Sequence, residues 1–100
     1  MEKVAKLEEI PDGDMKGVKA GNLLIALFRQ GDKVWATDDI CTHEGCIISE
    51  EHIMHGDEVE CTCHGSHFNL KTGQNTVPPA AEPLRTFEVK IENGEVFVEV

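Results

Sequence analysis

Two short segments of the chain carry residues able to hold a metal. Cys41-Thr42-His43 is followed, after residues 44–60, by Cys61-Thr62-Cys63-His64. A thiol and an imidazole are thus presented twice, from two places in the sequence. Two thiolates and two imidazoles can bind a single tetrahedral Zn²⁺ or a two-iron cluster whose irons have unlike ligands. In a zinc finger the cysteine pair comes first and the histidine pair follows on a helix. Here each pair is mixed, Cys-x-His in one loop and Cys-x-x-His in the other. That arrangement suits a [2Fe–2S] core in which one iron takes both thiolates and the other takes both imidazoles.

The elements that must position these loops read as strands. Val4 to Leu7 is followed by the breaker Pro11-Asp12-Gly13; Lys16 to Ala20 and the apolar run Leu23 to Phe28 are separated by Gly21-Asn22, a two-residue hairpin signal. After Gln30-Gly31-Asp32, the strand Lys33 to Thr37 runs directly into the first loop, with Val34 and Ala36 on one face and Trp35, a core anchor, on the other. Between the loops, His52-Ile53-Met54 and Glu58-Val59-Glu60 flank the turn His55-Gly56-Asp57 and read as a hairpin that returns Cys61 toward Cys41. Gln74 to Pro83 is rich in proline and small residues, so it is expected to cross the site as a rigid flap rather than continue a central strand. The chain closes with Arg85 to Ile91, the turn Glu92-Asn93-Gly94, and Glu95 to Val100, in which Phe87, Val89, Ile91, Val96, Val98 and Val100 alternate. No segment has a helical period. The expected fold is all-β, a small antiparallel sandwich or barrel formed by residues 1–100 as one domain, with the metal-binding loops, approximately residues 40–83, forming a subdomain at one end.

Cys41-Thr42-His43-Glu44-Gly45-Cys46 and Cys61-Thr62-Cys63-His64-Gly65-Ser66-His67-Phe68 resemble the two cluster loops of the Rieske family, and Thr72-Gly73, Pro78-Pro79 and Pro83-Leu84 continue the pattern. With the closing hairpin, the resemblance covers the chain from about Asp38 to its end. It implies one [2Fe–2S] cluster, with Cys41 and Cys61 on one iron and His43 and His64 on the other. It also implies a disulfide between Cys46 and Cys63, which match the bridged pair in the Rieske proteins of quinol-oxidising cytochrome bc complexes. Ser66 matches the serine that in those proteins donates a hydrogen bond to a cluster sulfur and so raises the potential. Phe68 stands at the position of their tyrosine donor, and the chain contains no tyrosine. Glu44 replaces the apolar residue at the tip that meets the quinol site, so the tip is not of the quinol-docking kind. His52, His55 and His67 are out of ligand register and read as solvent-facing or locally hydrogen-bonded, although His67 lies beside a cluster loop.

Nine Lys and Arg against nineteen Asp and Glu give a formal charge of −10. Such a surface disfavours nucleic acid and anionic membranes and favours docking to basic partners. The N-terminus lacks a signal-like apolar run and the longest apolar stretch, Leu23 to Phe28, is far short of the roughly 20 residues that span a bilayer, so a soluble, cytoplasmic protein is expected. A closed ligand set leaves no coordination position for a small-molecule substrate, which points to electron transfer rather than catalysis. The resemblance implies a soluble ferredoxin passing single electrons from a flavin reductase to a terminal oxygenase or other acceptor. The alternative is a Rieske-like small subunit or regulatory module of a larger redox enzyme, such as a nitrite reductase.

Overall fold

The computed structural model describes residues 1–42, 45–63, 65–78 and 82–100. Apolar residues at every second position, punctuated by glycine turns, build three antiparallel sheets. In the first, β1 (Glu2–Lys6) and β10 (Val89–Glu92) flank β11 (Glu95–Val98). The second runs β2 (Met15–Ala20), β3 (Leu23–Gln30), β4 (Lys33–Asp38) and the short β9 (Thr86–Phe87). The third holds β5 (His52–His55), β6 (Glu58–Cys61), β7 (Ser66–Asn69) and β8 (Asn75–Val77). A single 3-10 turn, Leu7–Glu9, is the helical structure among the described residues, and no helix there is long and apolar enough to cross a membrane.

The middle sheet is apolar on both faces, which explains why Leu23 to Phe28 is a continuous apolar run rather than an alternating one. Ile25 and Leu27 point to one side, where they join Ile10, Val34, Ala36, Val96 and Val98 in a core shared with the first sheet. Ala26 and Phe28 point to the other and meet Ile48, Val59, Phe68, Leu70 and the thiols Cys41 and Cys61. Full burial of a side chain such as Phe28 in one core or Leu27 in the other contributes about 1.5–3 kcal/mol, so both cores stabilise the sheet that carries the first loop. Trp35 falls opposite Val34 and Ala36 as the alternation predicts, but it sits half-buried at the rim of the second core. Its ring lies 5.7 Å from that of Phe28, and the Lys71 ammonium lies 4.7 Å above it.

Two segments differ from the sequence reading. Arg85 to Ile91 is not one strand: Phe87 pairs with Ala36 in the middle sheet, whereas Val89 pairs with Val98 in the first. The chain stays extended and keeps its alternation while its hydrogen-bond partners change at Glu88, forming a corner between sheets. Val100, expected to share the inward face of Val96 and Val98, is exposed at the terminus. The stretch expected to act as a flap opens with β8, an edge strand paired with β7. Edge placement is compatible with the prolines that follow, since one side of the strand needs no partner. Pro79, within that stretch, lies outside the described residues.

The return of this stretch to the body is fixed at Gly73. Its N–H donates to Asn69 O at 2.7 Å, its carbonyl accepts from Leu84 N at 2.7 Å, and its φ is 78°. A Cβ added there would meet Leu84 O at 2.2 Å, whereas one added at Gly13, φ 77°, would meet nothing within 4 Å. Both replacements by alanine therefore incur the left-handed backbone cost of about 1–2 kcal/mol. Gly73→Ala must in addition push the Leu84 backbone away, so its thermal unfolding midpoint should fall well below that of Gly13→Ala. Equal midpoints for the two variants would show that the close approach of residues 73 and 84 does not constrain the fold.

Candidate metal centre

Each loop leaves a strand through the same kind of turn. Cys41 follows β4, and its carbonyl accepts the Gly45 N–H at 3.0 Å; Cys61 ends β6, and its carbonyl accepts the Gly65 N–H at 2.9 Å. Both glycines hold positive φ, 75° and 81°, a conformation that costs glycine nothing and other residues strain. The first loop is closed further by the Cys41 N–H to Cys46 O bond of 2.8 Å and by the bridge between Ile40 and Ile47. These two matching turns bring Cys41 and Cys61 together. Both are buried in the core formed by Phe28, Ile48, Val59 and Phe68, where Cys41 neighbours Cys61 closely enough to raise its pKa.

The base of the first loop is held by two carboxylates that the sequence did not single out. Asp38 grips Arg85 in a two-pronged pair, Nε to Oδ2 and Nη2 to Oδ1 each 2.9 Å, and its N–H donates to Arg85 O at 3.0 Å. Asp39 is buried and accepts from the Ser49 N–H at 2.7 Å and from the Ser49 hydroxyl. Burial raises the Asp39 pKa above 3.8, against the lowering effect of the Ser49 hydrogen bonds. A raised native pKa favours the protonated native state, so this contribution to stability is present below pH 3.8 and is lost as pH rises through the native value. Asp14 has the opposite sign. Burial pushes it up, but the hydrogen bonds from His52 and the Met15 N–H, with the His52 charge, together hold it below 3.8. Its contribution is present above that value and is lost as pH falls through the lowered one. None of the three aspartates is foreseeable from local pattern, because their partners Arg85, Ser49 and His52 lie ten or more residues away.

Cys61 is held as a thiol by its surroundings. Burial raises its pKa first; the Cys63 N–H pulls the other way, and the adjacent Cys41 and Glu51 raise it further. Two such thiols side by side in an apolar core cannot both ionise unless a cation replaces their protons. The donor pair is therefore suited to an iron-bound dithiolate.

Cys46 and Cys63 form a disulfide with a Cα–Cα distance of 6.7 Å, joining the two loops. Their sulfurs and that of Cys61 lie within 4.8 Å of one another, so the bridge forms part of the wall beside the thiol pair. A Glu51 carboxylate oxygen lies 2.7 Å from Cys63 Sγ, a contact and not a hydrogen bond, since a bridged sulfur has no proton to donate. Glu51 also accepts the Thr62 N–H at 3.0 Å through its carbonyl, a second tie between the loops. Ser66 is buried at the start of β7 in register with Cys61, and Phe68 is buried two residues on, in the same core. His43, Glu44 and His64 lie outside the described residues. His52 is hydrogen-bonded through Nε2 to Asp14 at 3.0 Å, and His55 and His67 gather around Glu60, so all three make polar contacts with carboxylates.

An all-β domain that presents a buried cysteine pair beside two disulfide-linked loops has the build of a small metal-binding domain. Residues 1–88 match the Rieske [2Fe–2S] domain, and the chain belongs to that family. The chain is 36% identical over 96 residues to the ferredoxin component of the naphthalene 1,2-dioxygenase/salicylate 5-hydroxylase systems of Ralstonia sp, covering 96% of this chain and 91% of that protein. It superimposes on the ferredoxin of carbazole 1,9a-dioxygenase from Nocardioides aromaticivorans IC177 with a TM-score of 0.90 at 26% identity, covering 96% of this chain and 93% of the other. A chain in the solved complex of reduced oxygenase and oxidised ferredoxin in carbazole 1,9a-dioxygenase matches at 38% identity with a TM-score of 0.87, covering 96% and 89% of the two chains. The protein is a Rieske-type ferredoxin carrying one [2Fe–2S] cluster, an electron-transfer protein rather than an enzyme.

The disulfide closes a loop between residues 17 apart, which by chain entropy restricts opened states by about 3 kcal/mol. Replacing Cys46 and Cys63 together by Ser should leave the cluster able to assemble but lost at lower temperature, followed by its visible absorbance. Alkylation of the native protein followed by mass spectrometry should find both thiols blocked. Free alkylation at either position would contradict the bridge.

Proposed function

We infer that this chain carries single electrons from a flavin reductase to a terminal oxygenase, with Cys41 and Cys61 ligating one iron and His43 and His64 the other. The pair of free cysteines, Cys41 and Cys61, buried in one core beside the disulfide-linked loops carries this reading. It supplies two thiolates at one point and shields them from water. The cluster supplies a one-electron change of charge without making or breaking a bond to a reactant. The protein around it keeps the ligands in place: Asp39 and the Asp38–Arg85 pair fix the first loop, β6 and β7 fix the second, and the disulfide links them. The cluster-binding part spans approximately residues 40–83 of a single domain, 1–100.

The partner assignment is supported by the solved complex of a similar ferredoxin with its oxygenase and by the acidic surface. A formal charge of −10 favours brief, salt-sensitive encounters with basic docking faces, which suits a carrier that must release each partner. A cytoplasmic carrier fits this role. We further propose that Ser66 donates a hydrogen bond to a cluster sulfur and that Phe68, lacking a hydroxyl, leaves a second donor out. Each such donor stabilises the more negative reduced state.

Purified protein should contain two irons and two labile sulfides per chain, and its reduced form should give the low-average-g EPR signal of mixed nitrogen and sulfur ligation. His43→Ala or His64→Ala should abolish that signal. In stopped-flow mixing, reduced protein should be oxidised rapidly by the oxygenase component of an aromatic-ring dioxygenase, at a rate that falls with added salt. Zinc in place of iron, or no electron transfer to any such oxygenase, would overturn the proposal.

The potential provides a separate check. Phe68→Tyr should raise it, as measured by protein-film voltammetry, because the new hydroxyl adds a donor beside the cluster sulfurs. An unchanged or lower potential with an intact visible spectrum would count against the hydrogen-bond account.

A further inference from the structure

The outward face of the third sheet gathers residues that are unremarkable in sequence. Along β6, Val59 turns inward to the core and Glu58 and Glu60 turn outward. Register places Ile53 of β5 and His67 of β7 on either side of Glu60, and His55 and Asn69 on either side of Glu58. The two imidazoles reach across β6 from opposite strands and stack, with ring centroids 5.2 Å apart and planes 8° apart. Both approach one carboxylate oxygen: His55 Nε2 lies 2.9 Å and His67 Nε2 3.5 Å from Glu60 Oε1.

We propose that His55, Glu60 and His67 form a second metal site, separate from the cluster ligands, that takes one Zn²⁺ or a divalent ion of the same ligand preference. Two imidazoles and one carboxylate are a donor set that zinc-class ions favour, and a side open to solvent leaves room for water as the remaining ligand. One ligand atom from each residue can be chosen so that all three lie within 4.8 Å of one another. Metal–ligand bonds of about 2.0–2.2 Å need donors roughly 3.3 Å apart, a closure within reach of side-chain torsions on partly exposed residues. Glu58 completes the arrangement. Its carboxylate lies 3.4 Å from Nδ1 of His67, positioned to accept that proton and leave Nε2 free to bind.

Charge points the same way. Two carboxylates face two imidazoles with no Lys or Arg among these four side chains, on a chain of formal charge −10. A cation seated among the three groups satisfies all of them through lone pairs. Because the ligands come from β5, β6 and β7, the ion would also bind only when these three strands are paired, and so would clamp the sheet that delivers Cys61.

The experiment titrates air-oxidised holoprotein with Zn²⁺ against a chromophoric chelator, with bound iron measured before and after. The expected result is uptake of one equivalent with no loss of iron. His55→Ala and His67→Ala should each weaken binding at least about tenfold, with the visible spectrum of the cluster unchanged. Cu²⁺ loaded in place of zinc should show EPR hyperfine coupling to two imidazole nitrogens, reduced to one in either variant. Equal binding by wild type and the His55→Ala/His67→Ala double variant would overturn the proposal, as would zinc uptake that occurs only as iron is released.

Discussion

Two thiols buried side by side rest comfortably as neutral groups, but an apolar core admits a pair of thiolates only with a compensating cation. The fold maintains this arrangement between Cys41 and Cys61, and most of its less regular features follow from that requirement. The sulfurs must come from separate loops, so each loop needs its own rigid turn, which Gly45 and Gly65 provide at positive φ. The loops must not separate, so a disulfide and the Thr62 to Glu51 backbone bond join them. Their bases must not drift, so Asp38 and Asp39 anchor the first loop to Arg85 and Ser49. Stiffness of this kind suits electron transfer, in which a change of charge is best accompanied by little movement of the ligands.

The middle sheet connects this site to the rest of the molecule. Its strand β4 delivers Cys41, its inner face packs beneath the thiols, and its other face forms an independent core with the terminal strands. The strand that turns the corner at Glu88 belongs to both, since β9 closes the middle sheet and β10 the first. Asp39 shows that stability is not the sole requirement at this junction. A buried carboxyl with a raised pKa disfavours the native state at neutral pH, yet it organises Ser49 and the end of the first loop.

The third sheet has two chemically distinct faces. Val59 and Phe68 face inward with Cys61 and Ser66, while Glu58, Glu60, His55 and His67 face out. Alternation along each strand thus places an apolar wall around the thiols on one side and a dense group of titratable side chains on the other, within one strand's thickness. Charge gathered on that outer face lies close in sequence to the cluster loop, as Glu60 precedes Cys61 directly.

What the sequence determined by itself was the family and the class of fold. Cysteine and histidine in two mixed pairs, turn residues between alternating apolar runs, and the absence of helical periodicity are local signals, and together they led to the Rieske family and to an all-β chain. Leu23 to Phe28 read only as an apolar run, and the structure shows why it does not alternate, since both faces of its sheet are covered. Tertiary structure alone decided the partners. The switch of sheets at Glu88 leaves the alternation of Phe87, Val89 and Ile91 intact, so side-chain pattern cannot reveal it. The burial of Asp39, the Asp38–Arg85 pair and the meeting of His55 with His67 each join residues distant in the chain or on strands separated by another strand. Their spacing carries no periodic signal, because register and sheet order, rather than sequence separation, set which side chains meet.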